Sequence, residues 1–577
     1  MPADFRGFDA RGRRALVLVL AVLGFAAALM RATSEETEPG EILFIACLVL
    51  AFASALIFAT RRIVFGLLLS AGFLLALRTI SLVKMRYLQM PLFAPDLLYF
   101  SNGDTLDVVA HYPEIWHALV VRALLAFLVL GACIVWEKPL WNTLRRRPRI
   151  ALQCSGTLLG AILLWGLSAP GGPFKHIHAK DGWVAINPNS PLTNFVLSLH
   201  RMRVSVPTPD PQWADRYNWG EAPTADGTAL PNTKRHLPDI VVVLEESTFD
   251  PAILADCTIP ECRSAMFEAD TQTTAHGPLR VHTFGGATWT SEFTFFSGLP
   301  NTLFGPGGAY APFNLAPRVR YALPLVLKQH GYRNIAVYPM QANFVNARRA
   351  YGYYGFDAFH DSSEFNLVWE SPDLAIEQEL EKIYRRERAL TDDPLFVMLL
   401  TMRQHGPHND PYAKLAKPFD HALFPQLDGK SNLHLCNYLA RMTGSQEALM
   451  RLQAMLFAGG RPAILAHFGD HQPSFDGAIH ALRSSEIAEK LGDARGLTYY
   501  MMRSNETNAR KFSYPVLDLG FLAGLILDQA DIPKGPFFTA NAALRERCGG
   551  RYLDCPDRDL LDSYLSFVFS RLHSISR

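Results

Sequence analysis

The chain has 577 residues, too many for one hydrophobic core, so at least two domains are expected. Its 55 basic and 54 acidic residues leave a net charge of +1, which argues against a nucleic-acid binder. Hydrophobicity is uneven, and the long apolar runs lie in the first 170 residues.

Five of these runs, 15–30, 42–60, 63–83, 118–136 and 151–169, approach the length needed to cross a bilayer as helices. The first has the basic flank of a signal peptide, but four further spans follow, so it reads as an uncleaved anchor. Arg6, Arg11, Arg13 and Arg14 precede it. Arg61 and Arg62 join the second span to the third, and Lys138, Arg145, Arg146, Arg147 and Arg149 join the fourth to the fifth. With the N-terminus inside, all three clusters face the cytoplasm, as the positive-inside rule requires, and the C-terminal part lies outside. Lys84 and Arg86 oppose this orientation weakly.

The outer loop 84–117 contains MPLFAPDLLYF, apolar enough for the membrane interface. PLTNFVLSLHRM (191–202) has the pattern of an amphipathic helix, lying on the membrane or packed on a globular domain. Residues 206–236 are rich in Pro and polar residues and read as a linker. The expected domains are therefore a five-span region (1–170), a juxtamembrane helix and linker (171–236) and an extracytoplasmic domain (237–577).

From Leu237 onward strand and helix patterns alternate, the mark of an α/β domain whose mostly parallel sheet is covered by helices on both faces. DIVVVLEES (239–247) is a buried strand ending in Glu245 and Glu246. HTFGGATWTSEFTFFSGLP (282–300) is a Gly-Gly turn, then Thr288, then a helix from about Ser291. A hydroxyl there meets the unpaired N–H groups that favour an anion. Further strands are read at 332–339, 394–401, 462–468 and 497–504, and helices at 323–330, 374–388, 432–458 and 517–529. MRQHGPHND places His405 and His408 in a strand-end loop, and Asp470 with His471 follows the strand PAILAHF. Sheets of this kind bind ligands at the carboxyl ends of their strands, so Glu, Thr, His and Asp-His at four such ends suggest a metal and a nucleophile in one place. Each pair alone reads equally well as a cap or an incidental loop residue.

Among the eight cysteines, Cys257/Cys262 and Cys548/Cys555 are close pairs in the outward part, where disulfides persist. Cys47, Cys133 and Cys154 lie in spans and Cys436 lies mid-helix.

The order E-S after a strand, G-x-T-x-x-S-E-F, H-G-P and G-D-H resembles the alkaline-phosphatase superfamily. Within it the chain is similar to the membrane-embedded, sulfatase-like branch of lipoteichoic acid synthase and the phosphoglycerol transferases of periplasmic glucans, and more distantly to lipid A phosphoethanolamine transferases. The resemblance implies a bacterial plasma-membrane enzyme with its catalytic domain in the periplasm or outside. It implies Glu246, Thr288, Asp470 and His471 as ligands of one divalent ion, Mn2+ or Zn2+, with a second ion left open. Thr288 is then also the nucleophile and His405 a phosphate or leaving-group residue. The stretch 343–361 resembles the synthase's substrate-binding segment; Ala347 stands where an arginine is expected, with Arg348 and Arg349 beside it, and Asn346 and His408 complete the implied substrate contacts. Phe284 and Thr294 occupy positions where the phosphoethanolamine branch has cysteines, which favours the synthase-like branch.

These residues imply transfer of a phospholipid head group, phosphoglycerol first, through a phospho-threonine to a hydroxyl of a glycan or glycolipid. A threonine hydroxyl needs activation, and a divalent cation supplies it. The implied partners are a membrane phospholipid donor, that acceptor and the bilayer, with no nucleic acid. Phosphoethanolamine transfer, a phosphodiesterase or phosphatase using water, and a non-enzymatic scaffold are the alternatives.

Overall fold

The structure is a computed structural model that describes residues 10–88, 90–100, 106, 109–110, 113–178, 190–201, 204–220, 237–365, 367 and 371–576. It divides into two compact units, one of 1–86 with 90–203, the other of 204–577 with the short stretch 87–89.

The first unit is helical: α1 (Ala10–Thr33), α2 (Pro39–Thr60), α3 (Ile63–Leu88), a short α4 (Ala94–Tyr99), α5 (Pro113–Trp136), α6 (Arg146–Ser168) and α7 (Pro191–Arg201). Five of these are long and apolar enough to cross a membrane. Small residues let α2 and α6 meet closely: a Cβ on Gly160 would fall 2.6 Å from that of Ala55. Glu36 takes up the orphan donors at the start of α7, accepting from Leu192 N at 3.0 Å and Thr193 N at 3.3 Å. α7 buries Leu192 and Leu197 and leaves Leu199 60% exposed.

The second unit is built on an eight-stranded sheet in the order β4-β3-β5-β1-β6-β7-β2-β8. The strands are β1 (Asp239–Glu245), β2 (Thr273–Arg280), β3 (Arg333–Tyr338), β4 (Ala358–Asp361), β5 (Leu395–Leu400), β6 (Ala463–Gly469), β7 (Leu497–Ser504) and β8 (Leu517–Asp518). The central strands β3, β5, β1 and β6 run parallel, and β7 is antiparallel to both its neighbours. The mostly parallel α/β expectation is met. β1, β5 and β6 are buried along their whole length, which is why their sequences are continuous apolar runs rather than alternating ones.

Helices cover both faces. On one face α8 (Thr288–Ser297), α9 (Leu323–Gln329), α10 (Ala347–Tyr354), α13 (Leu522–Gln529), α14 (Gly535–Arg547) and α15 (Arg558–Ser566) belong with the core of Phe293, Phe296, Tyr351, Phe468 and Phe538. On the other, α11 (Asp373–Leu390) and α12 (Gly429–Ala458) enclose Val241, Leu380, Leu435 and Leu465.

Three expectations change. The helix expected over 517–529 begins at Leu522, because Leu517 and Asp518 pair with β2 as a strand. The helix expected from about Ser291 begins at Thr288 itself. The linker reading fails for 206–220: Trp219 is buried, bonds Ser563 Oγ at 3.0 Å and packs edge-on against Tyr564 of α15. Residues 221–236 lie outside the described residues.

Candidate active site

Strand register builds the site. β1 and β6 pair in parallel with Glu245 opposite Gly469, so the residues that follow, Glu246 and Asp470-His471, leave the sheet side by side at its carboxyl edge. Gly469 is required by close approach: a Cβ there would lie 1.7 Å from Thr248 O. Ser247 turns the chain at positive φ and donates its amide to Asp470 Oδ1 at 2.8 Å, tying the two strand ends together. Glu245 is buried as well, but bonds Thr401 Oγ1 at 2.8 Å instead of joining this group.

Thr288 arrives from across the sheet. Ala287, left-handed at φ 68°, sets it as the first residue of α8. Gly285 N donates to Gln472 O at 3.0 Å and Ser291 Oγ to Asp470 O at 2.7 Å, pinning turn and helix to the loop after β6. The Thr288 hydroxyl then donates to Glu246 Oε2 at 2.6 Å and lies 3.4 Å from His471 Nε2.

Glu246, Asp470 and His471 each aim one ligand atom at a common point, all within 4.8 Å of one another. His471 Nδ1 lies 3.0 Å from Gln472 O, which fixes the tautomer and leaves Nε2 as the donor atom. Asp470 Oδ1 accepts from two backbone amides, while Oδ2, 3.2 Å from His471 Nε2, is buried with no hydrogen bond. An orphaned carboxylate oxygen beside a second carboxylate and an imidazole is the donor set of a divalent cation, so the residues fit a metal.

The electrostatics are those of two carboxylates and an imidazole crowded together. Burial would raise the Glu246 carboxyl, but His471, His405 and the Thr288 hydroxyl outweigh it and hold the group below the usual range. Burial and the repulsion of Glu246 push Asp470 well up. Burial would lower His471, yet Asp470 and Glu246 lift it to about 9.

His405 Nε2 stands 3.9 Å from Glu246 Oε1 at the partly exposed rim, its Nδ1 2.8 Å from Gly406 O. Burial pushes its imidazole down despite Glu246. Thr288, His405 and the triad are therefore brought together. His408 is not: it is 1% exposed, packed on Phe475 and Tyr438, and a substrate contact there is withdrawn. Asn346 Nδ2 is spent on Pro312 O at 3.1 Å, and Arg348 binds Asp361 at 3.1 Å over the Phe359 ring. Arg349 is exposed. Sequence reasoning missed Glu292, one helical turn beyond Thr288, buried and accepting from Tyr351 OH at 2.7 Å. Burial pushes it up to about 7, against the Tyr351 bond and with the charge of Glu246. Its signal in the sequence is its place as the Glu of the G-x-T-x-x-S-E-F motif, four residues after Thr288.

Residues 238–532, half of the chain, match the sulfatase family model, and the chain belongs to that family. An uncharacterised protein of Haemophilus influenzae is 28% identical over 514 residues, covering 85% of this chain and 87% of its own. A Rhizobium meliloti protein whose name refers to cyclic beta-1,2-glucan modification is 25% identical over 486 residues, covering 80% and 72%. Among solved structures, the integral membrane lipooligosaccharide phosphoethanolamine transferase A of Neisseria meningitidis shares the fold, with TM-score 0.50 and 12% identity, over 90% of this chain and 96% of its own.

Proposed function

We propose that the protein is a membrane phosphotransferase that moves a phospholipid head group, phosphoglycerol first, through a phospho-threonine at Thr288 to a hydroxyl of an envelope glycan. The observation that carries this reading is the Thr288 hydroxyl at a helix start, 2.6 Å from Glu246 and 3.4 Å from His471. A hydroxyl held among metal-ligand side chains, where backbone N–H groups face outward, is the arrangement of an activated nucleophile for phosphate esters.

Glu246, Asp470 and His471 would hold the ion, Mn2+ or Zn2+, with Thr288 beside it. When bound, such an ion acidifies a neighbouring hydroxyl and neutralises charge on the phosphoryl group. The chain's own residues do the rest. Thr288 Oγ forms a bond to the donor's phosphorus as the bond to the diacylglycerol oxygen breaks, and the proton leaving Thr288 ends on that oxygen. In the second half the acceptor hydroxyl attacks the same phosphorus, the bond to Thr288 breaks, and the acceptor's proton returns to Thr288. His405, with Nε2 turned toward Glu246, is the group placed to carry that proton. The exposed Arg349 is the substrate-facing cation of this reading, Arg348 and Asn346 shaping the segment around it.

The family and the five apolar helices support a donor taken from the membrane. The Rhizobium relative supports a glucan acceptor. Phe284 and Thr294, where the phosphoethanolamine branch carries cysteines, support phosphoglycerol. An outward catalytic unit is supported by the disulfides Cys257–Cys262 and Cys548–Cys555 and by the basic clusters at 61–62 and 138–149. Mass spectrometry of lipids and envelope glycans from cells with active protein and with Thr288→Ala tests the reading. It expects diacylglycerol and phosphoglycerol-bearing glycan only with the active protein. Free glycerol phosphate without modified glycan would point to water as acceptor.

A further inference from the structure

The segment just before α10 is strained. Val345 and Asn346 both have positive φ, 45° and 61°, where a β-branched residue is a conformational outlier. Strain of this kind persists only when surrounding contacts over-determine it, and it gathers at functional sites. Local contacts hold it at three points: Ala342 N donates to Asp361 Oδ2 at 2.9 Å, Arg348 N donates to Ala342 O at 3.0 Å, and Asn346 Nδ2 reaches Pro312 O.

One further bond ties the segment to the nucleophile. α10 and α8 meet through Phe296, whose ring lies 5.3 Å from that of Tyr351 and 5.1 Å from that of Tyr354. Aromatic faces alone permit sliding. The Tyr351 hydroxyl, however, donates to Glu292 Oε1 at 2.7 Å, and both groups are almost fully buried. Placing a carboxylate in an aromatic cluster is costly, and a leucine would fill the space without that cost. A hydrogen bond has what Leu–Phe packing lacks, a fixed distance and direction. Glu292 stands one helical turn from Thr288, and Tyr351 two residues from Arg349.

We propose that Glu292 is a positioning residue: through its buried bond to Tyr351 it holds the strained Val345–Asn346 turn, and with it Arg349, in register with Thr288. The inference rests on the reading of Thr288 as nucleophile and of the 343–361 segment as the substrate contact. Glu292 touches no substrate in this account and ligates no metal. It sets the distance between the group that attacks and the group that holds the phosphate.

The test uses the full chain in nanodiscs and three variants. Glu292→Gln keeps an oxygen for the Tyr351 hydroxyl. Glu292→Leu and Tyr351→Phe each remove the bond, the latter by deleting a single oxygen. The readouts are bound metal per chain and the rate at which a mass adduct forms on Thr288 with phosphatidylglycerol. Metal content is expected to be unchanged in all three. Adduct formation should slow about tenfold or more in Glu292→Leu and Tyr351→Phe, because small misplacements of reacting groups are costly, and stay within about twofold in Glu292→Gln. The double variant Glu292→Leu/Tyr351→Phe should be no slower than either single, as for partners in one bond. Should Glu292→Leu fail to fold, Tyr351→Phe alone decides. Wild-type rates in a folded, metal-replete Tyr351→Phe overturn this proposal while leaving the nucleophile intact, and so does a Glu292→Gln as slow as Glu292→Leu. A wild type that forms no adduct overturns this proposal together with the function it rests on.

Discussion

Thr288, half-buried, and Glu377, buried, illustrate two different reasons for a reactive or ionisable group to be drawn in from solvent in this domain. The Thr288 hydroxyl has partners whose chemistry explains it. In the proposed reaction its removal takes away the nucleophile and leaves Glu246, Asp470 and His471 in place. Thr288→Ala should therefore lower turnover by about a thousandfold or more, while bound metal measured on the purified protein stays close to wild type. Glu377 has no such partners: both carboxylate oxygens are buried without a hydrogen bond, and Glu245 and Asp373 stand nearby. Burial first, then those two charges, push it up to about 10. Because the folded value lies above the unfolded one, native Glu377 keeps a proton that the unfolded chain releases. Its contribution to stability is complete below about pH 4.3 and is lost as pH rises through 10. Glu377→Gln should stabilise the domain in denaturant melts, by about 2 kcal/mol at pH 8, with the gain shrinking toward pH 5.

α12 is the longest helix of the sulfatase domain and spans the face behind β6. Asp428 caps it, accepting from Lys430 N at 2.9 Å and Ser431 N at 3.0 Å. Asp428→Ala should destabilise the domain, seen as a lower midpoint in chemical denaturation with an unchanged slope. Strands were legible in the sequence where burial on both faces writes a continuous apolar run, as in β1, β5 and β6. β2 was not, because TTAHGPLR carries His, Gly and Pro and is held by pairing with β7 more than by its own pattern. β8 is two residues long, and Leu517 continues smoothly into the apolar pattern of the helix after it. Chemistry at strand ends was similarly readable, since Glu246, Asp470 and His471 sit directly after apolar runs. Burial of a loop histidine was not: His408 is covered by Phe475, 67 positions along the chain. The Glu292–Tyr351 bond joins residues 59 apart and leaves no local trace in either segment.

The proposed function requires the second unit to lie outside the cytoplasm. Arg61 and Arg62 lie between the second and third apolar helices and Lys138 and Arg145 between the fourth and fifth, with Arg146, Arg147 and Arg149 in the first turn of α6; the positive-inside rule expects such residues in the cytoplasm and, with five spans, 204–577 outside it. A reporter fused after Arg203 should read extracytoplasmic; a cytoplasmic reading would remove the outer-leaflet donor and the glycan acceptor together. An extracytoplasmic placement would also keep the two disulfides oxidised, and non-reducing peptide maps should then recover Cys257–Cys262 and Cys548–Cys555 intact.

The most direct measurement is peptide-level mass spectrometry of the full chain after brief exposure to phosphatidylglycerol in nanodiscs, without acceptor. A transferase must hold the group while donor leaves and acceptor arrives, so a glycerophosphoryl mass is expected on the peptide containing Thr288, with stoichiometric diacylglycerol and no adduct in Thr288→Ala. An adduct on Thr290 or Ser291, or turnover by Thr288→Ala at the wild-type rate, would contradict it.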